Sequence, residues 1–487
     1  MSKIKFGTDG WRDKISKDFT TQNVKRATEG VARHLIKSDI DEKKGIAIGY
    51  DTRKHSDEFA EIAAKTFTIY DIPVYLNDSY LPTPALSHVI KEKDLAGAVM
   101  ITASHNPPEY NGFKFFPHYG GPAYDYITRE IEELIPDKPS TYKEKADLLK
   151  ITSFENLYKD HLRDKNNASS KHQDQAPPKK LKIVVDSMHG AGCGYLALLL
   201  EERGHEVHTV AEEPSPDFCG KLPEPMDDNL EYLKQAVIDQ KADLGLALDG
   251  DADRFGVVSS TGDYISPNQI FGSVADYTTD KWIDRAKHDY EHGQENEAKI
   301  SNLSLSRTIA TTHAIDKVAG EKGLSIVETP VGFKYLTHAM LTQNAIMGAE
   351  ESGGLGVDPK YPEKDGIAAA LFITEILEEK ETDLEGLLKK TEEKYGTFIS
   401  KRIDLSLTRD QKEKILTLLE ELKPNNLAYR GVEKINRQKG LKLYLSDGSW
   451  CLMRPSGTED LVRIYGESDS EKNLQEILDS ARELLGI

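Results

Sequence analysis

Short apolar runs separated by polar stretches recur along the chain, and between them lie segments whose apolar residues return every three to four positions. Residues 45–50 (GIAIGY) read as a buried strand and 57–69 as a helix, and 95–102 (LAGAVMIT) read as a second buried strand. Residues 181–185 (LKIVV) open another unit, with a glycine-rich turn at 190–194 and a helical run at 195–203. Strand, turn and helix in alternation predict α/β architecture. Near the C-terminus Leu474, Ile477, Leu478, Ala481, Leu484 and Leu485 keep helical spacing, and Ser468 with Glu471 is expected to cap that helix.

Polar stretches mark the boundaries. Residues 164–180 (DKNNASSKHQDQAPPKK) lack apolar periodicity and carry a proline pair, so a linker is expected there, and 288–299 should be a surface excursion. A length of 487 residues implies three or four domains. Lys and Arg number 63 against 82 Asp and Glu, a net charge of −19. That field repels nucleic acid and anionic membranes, so neither is an expected partner. No apolar run approaches the roughly 18 residues of a membrane span. The first twenty residues hold no signal-peptide core. Cys193, Cys219 and Cys451 are far apart and form no Cys-x-x-Cys pair, so buried thiols in a cytoplasmic protein are expected rather than zinc or disulfides.

Three times a short apolar strand runs into a loop dense in chemistry: AVMITASHNPP, LGLALDGDADR and AIMGAEESGG, with RPSGTED as a fourth loop. Their landmarks, Ser104, Asp249, Glu350 and Arg454, lie about a domain length apart. Ligand crevices in open α/β sheets lie beyond the C-terminal ends of strands, so the loops could face one cleft, although any loop must follow a strand.

Asp249, Asp251 and Asp253 alternate after a strand, which lets three carboxylates converge on a hard cation. The competing reading is a solvated acidic turn, but three like charges this close repel without a counter-ion. An EF-hand loop would need glycine and glutamate where Arg254 and Ser260 stand, so that reading fails. Three carboxylates with room for a substrate oxygen suit Mg²⁺. Ser104, beside His105 and a proline pair and not far from Lys114, is either a nucleophile or phosphate carrier, or a turn former. His105 alone reads as structural. Arg454, Ser456, Gly457 and Thr458, with Arg463 following, have the chemistry of a phosphate cradle or of an ordinary turn, and lack the Walker spacing. Glu350 and Ser352, on a flexible glycine-rich backbone, offer a grip for sugar hydroxyls, a weak signal when taken alone.

In this order the loops resemble the α-D-phosphohexomutase family of phosphoglucomutases and phosphomannomutases. The resemblance covers nearly the whole chain. It includes GTDGWR from Gly7, GYDTR from Gly49, LPTP from Leu81 and TPVGFK from Thr329. It implies three similar mixed-sheet α/β domains and a smaller C-terminal α+β domain around a central cleft. The expected boundaries are 1–163 for domain I, 164–180 for the linker, 181–267 for domain II, 268–395 for domain III and 396–487 for domain IV. By the same resemblance Ser104 is the phosphoserine, and Asp249, Asp251 and Asp253 bind Mg²⁺ with a phosphoryl oxygen on Ser104. Glu350 and Ser352 match the sugar loop. Arg454, Ser456, Gly457, Thr458 and Arg463 match the loop for the non-transferring phosphate. Arg12, Lys114, Arg254 and Lys334 fall at active-site cations, and Ser104, Lys114, Arg12 and His105 form the catalytic set.

The implied reaction interconverts glucose 1-phosphate and glucose 6-phosphate through glucose 1,6-bisphosphate, which also serves as activator. The partners expected are small hexose phosphates, and the oligomeric state is open between monomer and dimer. A phosphomannomutase, a dual-specificity mutase and a non-catalytic sugar-phosphate-binding paralogue are the alternatives. The sugar loop Glu-Glu-Ser-Gly-Gly looks more like that of phosphoglucomutases than the Gln-Ser-Gly-His of phosphoglucosamine mutases. Gly354 stands where several subfamilies have histidine, so a general base there does not carry over, and Lys114 becomes the candidate for proton transfer. Asp460 and Asp13 depart from a frequent proline and a small residue, changes expected to alter local rigidity only.

Overall fold

Apolar runs of strand length pair into four sheets in the computed structural model, which describes residues 3–169, 179–291, 302–456 and 460–487. The chain forms two compact units. One holds residues 1–267, 332–342 and 352–384; the other holds 268–331, 343–351 and 385–487.

The first unit contains two mixed sheets. Strands β1 (Trp11–Lys14), β2 (Ile46–Tyr50), β3 (Val74–Asn77), β4 (Gly97–Ile101), β5 (Tyr110–Pro117) and β6 (Leu149–Thr152) are ordered β1-β5-β4-β2-β3-β6. The sheet is parallel from β4 to β6, and β5 runs antiparallel to β4 and β1. Every residue of β4 is buried, as its unbroken apolar run requires of a strand covered on both faces. Strands β7 (Lys182–Asp186), β8 (Glu206–Val210), β9 (Leu244–Leu248), β10 (Phe255–Ser259) and β11 (Tyr264–Ile265) form the second sheet, ordered β11-β10-β9-β7-β8.

In the second unit β12 (Ser304–Thr308) lies between β13 (Ser325–Thr329) and β14 (Ala345–Glu350), parallel to both. A short strand β15 (Gly354–Gly356) falls in the first unit. Strands β16 (Ile399–Ser406), β17 (Asn426–Leu427), β18 (Arg430–Asn436), β19 (Leu441–Leu445), β20 (Trp450–Pro455) and β21 (Leu461–Ser468) make an antiparallel sheet ordered β16-β21-β20-β19-β18-β17. The helix Glu471–Leu485 buries Leu474, Ile477, Leu478, Ala481 and Leu485 in this domain's core. The architecture is the expected one, three α/β domains and a smaller C-terminal α+β domain.

Four local expectations need correction. The stretch expected as linker begins inside the helix Glu155–Ser169, because no proline or glycine interrupts residues 155–169; its residues 170–178 lie outside the described residues. Likewise the helix Pro267–Glu291 runs into the expected excursion, since no proline or glycine interrupts residues 273–291, and 292–301 lie outside the described residues. The final helix is capped by Ser470, whose side chain accepts from the Asn473 N–H, because β21 holds Ser468 extended. Cys193 and Cys451 are buried but Cys219 is exposed, on a turn with φ 52°. Among the described residues no helix is long and apolar enough to cross a membrane.

Candidate active site

Beyond Ile101 the chain leaves β4 and turns sharply at Ser104, which takes a left-handed conformation with φ 53°. For a residue with a Cβ that costs about 1–2 kcal/mol, so the surroundings must hold it. The Ser104 N–H donates to Thr102 Oγ1 at 2.8 Å, and that hydroxyl donates to Asp51 Oδ2 at 2.6 Å. Arg53, fully buried, pairs with Asp51 and donates to the carbonyls of Ser104, Asn106, Pro107 and Tyr110 at 2.5–3.2 Å. Ser104 Oγ is thereby set 2.8 Å from Asp249 Oδ2 and 3.2 Å from His105 Nδ1. Burial, then the charges of Arg254, Arg12, Lys114 and Arg53, keep the His105 pKa well below its ordinary value, so the ring is neutral at pH 7.

The aspartate loop follows β9, whose apolar run ends at Leu248. It packs so closely that a Cβ on Gly250 would meet the Ser104 carbonyl at 2.5 Å, a contact that only glycine allows. Asp249, Asp251 and Asp253 are completely buried, with ligand oxygens within 4.8 Å of one another. Burial and the two neighbouring carboxylates push the Asp249 pKa well above the carboxylate range. Burial acts the same way on Asp251, but the Lys114 ammonium and the Thr83 hydroxyl outweigh it and hold that carboxyl low. Asp251 Oδ1 and Asp253 Oδ1 have no hydrogen-bond partner among the described residues. Two orphaned anionic oxygens in a dry pocket are costly unless a cation completes them, so the residues present fit Mg²⁺.

Lys114, also buried, reaches Asp251, Asp253 and Asp9 at 2.8, 2.9 and 3.0 Å. Burial opposes its charge, but the three aspartates prevail and raise its pKa above the ordinary lysine value. Arg12 Nη1 donates to Asn106 Oδ1 at 2.7 Å, which ties β1 to the serine loop. Arg254 Nε lies 3.8 Å from Asp253 Oδ1. Lys334 is buried and held by Asp125 at 2.6 Å.

The first unit therefore brings together Ser104, His105, Lys114, Arg12, Arg254 and the three aspartates, and it also contains Lys334 and Ser352. Glu350, Arg454, Ser456 and Arg463 belong to the second unit, where Arg454 and Arg463 stand opposite each other on β20 and β21. The Ser456 N–H closes that hairpin onto the Leu461 carbonyl at 2.9 Å. Gly457 and Thr458 lie outside the described residues.

Sequence reasoning assigned no role to Asp9, Asp51, Arg53, Thr83, Glu363 or Lys364. The first four lie inside segments that carried the family resemblance, which was the available signal. Glu363 and Lys364 sit in a charged triplet between Pro362 and Gly366 that reads as an exposed turn, yet both are buried. Lys364 Nζ contacts Glu363, Asp253 and Asp9 at 3.0, 3.1 and 3.2 Å. Burial raises the Glu363 pKa to about 8 despite that ammonium.

Sequence models of four phosphoglucomutase/phosphomannomutase domains match the chain in order. Alpha/beta/alpha domains I, II and III match residues 3–141, 156–262 and 286–395, and the C-terminal domain matches 406–484. A Thermococcus kodakarensis protein named phosphoglucomutase/phosphomannomutase is 30% identical over 492 residues, covering 100% of this chain and 99% of its own. A phosphoglucosamine mutase of Carboxydothermus hydrogenoformans is 28% identical, covering 98% of both chains. The crystal structure of a phosphomannomutase candidate from Thermus thermophilus is 29% identical, covers 100% of both chains and superposes with a TM-score of 0.81.

Proposed function

The chain belongs to the phosphoglucomutase/phosphomannomutase family of intramolecular phosphotransferases, and from that premise we propose that it interconverts glucose 1-phosphate and glucose 6-phosphate through phosphorylated Ser104. The observation that carries the reading is the 2.8 Å contact of Ser104 Oγ with Asp249 Oδ2, beside the orphaned oxygens of Asp251 and Asp253. Phosphoryl transfer depends on positioning and charge neutralisation, and this arrangement supplies both.

In the proposed cycle, phosphorylated Ser104 gives its phosphoryl group to the free hydroxyl of a hexose phosphate. The product is glucose 1,6-bisphosphate, and its other phosphate then returns to Ser104. Mg²⁺ held by Asp249, Asp251 and Asp253 supplies charge neutralisation for the phosphoryl oxygens. Lys114 and Arg12 add cations, and Arg53 fixes the backbone from which Ser104 projects. Arg254 and Lys334 bind the phosphates, Glu350 and Ser352 grip sugar hydroxyls, and Arg454, Ser456, Gly457, Thr458 and Arg463 take the phosphate that is not transferred. Small phosphorylated sugars and free thiols fit a cytoplasmic enzyme.

Intact-mass measurement tests the carrier. After incubation with glucose 1,6-bisphosphate the wild-type protein gains one phosphate, and Ser104→Ala gains none and loses turnover by about 10³-fold or more. Turnover near wild type in Ser104→Ala overturns the reading.

A further inference from the structure

Every aspartate of the triad has one carboxylate oxygen already taken. Asp249 Oδ1 accepts from the N–H groups of Asp253 and Arg254 at 2.9 and 3.0 Å. Asp251 Oδ2 accepts from Thr83 Oγ1 at 2.6 Å and Lys114 Nζ at 2.8 Å. Asp253 Oδ2 lies between Lys114 Nζ at 2.9 Å and Lys364 Nζ at 3.1 Å. What remains is one oxygen from each residue: Asp249 Oδ2 beside Ser104, and the Oδ1 atoms of Asp251 and Asp253, which accept no hydrogen bond among the described residues. Three carboxylates are thus restrained to single-oxygen binding, Asp249 by its own loop and Asp251 and Asp253 by groups from other parts of the first unit.

That restraint discriminates between cations. Ca²⁺ takes six to eight oxygens and gains from bidentate carboxylates, whereas Mg²⁺ demands a tight octahedron and keeps several waters. We propose that Lys364 is a positioning residue that holds Asp253 to one metal-facing oxygen and so sets the preference for Mg²⁺ over Ca²⁺; this rests on the metal-site reading above. Its ammonium cannot swing away, because Glu363 Oε1 and Asp9 Oδ2 hold it at 3.0 and 3.2 Å in a place where the side chain is only 3% exposed. Without Lys364, Asp253 keeps Lys114 at Oδ2 and Arg254 3.8 Å from Oδ1, and loses the second ammonium that stops its carboxylate from turning to offer both oxygens. Losing a cation strengthens the binding of any divalent ion, so the affinity ratio of the two ions isolates the geometric effect.

Calorimetric titration of Mg²⁺ and Ca²⁺ into phosphatase-treated protein measures that ratio. Lys364→Met should lower the Mg²⁺-to-Ca²⁺ affinity ratio by roughly 10–100-fold, the range for groups that orient metal ligands, and Lys364→Arg should stay near wild type. A paired variant, Lys364→Met with Glu363→Gln, removes the buried ammonium and the buried carboxyl together and should behave as Lys364→Met does; near-ultraviolet circular dichroism reports folding. An unchanged ratio in a folded Lys364→Met or paired variant overturns the inference while leaving wild-type Mg²⁺ binding intact. Failure of the wild-type protein to bind either ion, or equal binding by Asp251→Asn, would instead remove the metal site and the inference with it.

Discussion

Arg53 spends its guanidinium entirely on the protein: four backbone carbonyls of the serine loop and the Asp51 carboxylate. Replacing it with methionine leaves Asp51 buried without its cation and strips the tether from a strained backbone. Breaking a buried pair in this way costs about 3–5 kcal/mol. Displacing Ser104, the proposed phosphate carrier, by an ångström costs about 10²-fold in rate. Arg53→Met should therefore show both losses, in urea unfolding and in kcat; wild-type stability would show that the clamp is dispensable. The aspartates were legible in the sequence because three carboxylates at alternate positions need a counter-ion. Arg53 was not, since its partners come from a different loop and nothing in GYDTR says which way the side chain reaches.

At the level of elements, β19 (LKLYL) carries a pattern that alternation reads as Lys442 and Tyr444 facing water. The structure buries Lys442 completely, because Ile309, Ala310 and Val331, just beyond β12 and β13, pack against Trp450, Leu452 and Tyr465 of the C-terminal sheet within the second unit. Its Nζ donates to the Ile309 carbonyl at 2.7 Å and to Glu328 at 3.1 Å, and lies 4.3 Å from the centre of the Trp450 ring. Burial first, then the Arg307 charge, bring the Lys442 pKa down to about 7, against the pull of Glu328 and Glu467. The unfolded chain holds that proton until about pH 10.4. Between the two values unfolding takes up a proton, so stability rises with pH, and the penalty is fully present below about pH 7. Lys442→Met removes this titration. The wild-type protein should gain on the variant by up to about 1.4 kcal/mol per pH unit between about pH 7 and 10 in urea unfolding. A difference that stays flat across that range contradicts the assignment.

Over the whole molecule a net charge of −19 opposes an anionic substrate, so cations must be concentrated where the phosphate goes. The first unit does this with Lys114, Lys364, Arg12 and Arg254 around the serine and aspartate loops. For a bisphosphate to react from both ends, the sugar must bind in two orientations related by about a half turn. The 3- and 4-hydroxyls then fall in similar places, but the 2-hydroxyl does not, and a tight contact to it would impede one half-reaction. Discrimination at carbon 2 should accordingly be weak. Glucose 1-phosphate should be preferred and mannose 1-phosphate accepted, with kcat/KM lower by roughly 10–200-fold. Assays of both, and of glucosamine 1-phosphate, with the matching bisphosphates decide this. Undetectable turnover of mannose 1-phosphate, or a preference for either other sugar, would reverse the substrate assignment.

The sequence by itself determined the α/β class, the strands that end in chemistry, the family and the candidate serine with the cluster of three aspartates. Those properties are local: apolar periodicity sets an element, and repulsion among neighbouring carboxylates demands a cation. Only the tertiary structure decided how the carboxylates are used. Ser104 and Asp249, 145 positions apart, close to a 2.8 Å hydrogen bond, and Lys364, far along the chain, reaches Asp253. Charged triplets such as Glu363-Lys364-Asp365 look solvated in sequence because isolated charges belong in water. Lys364 is buried because distant Asp9 and Asp253 repay its desolvation, and that pairing is a property of the fold.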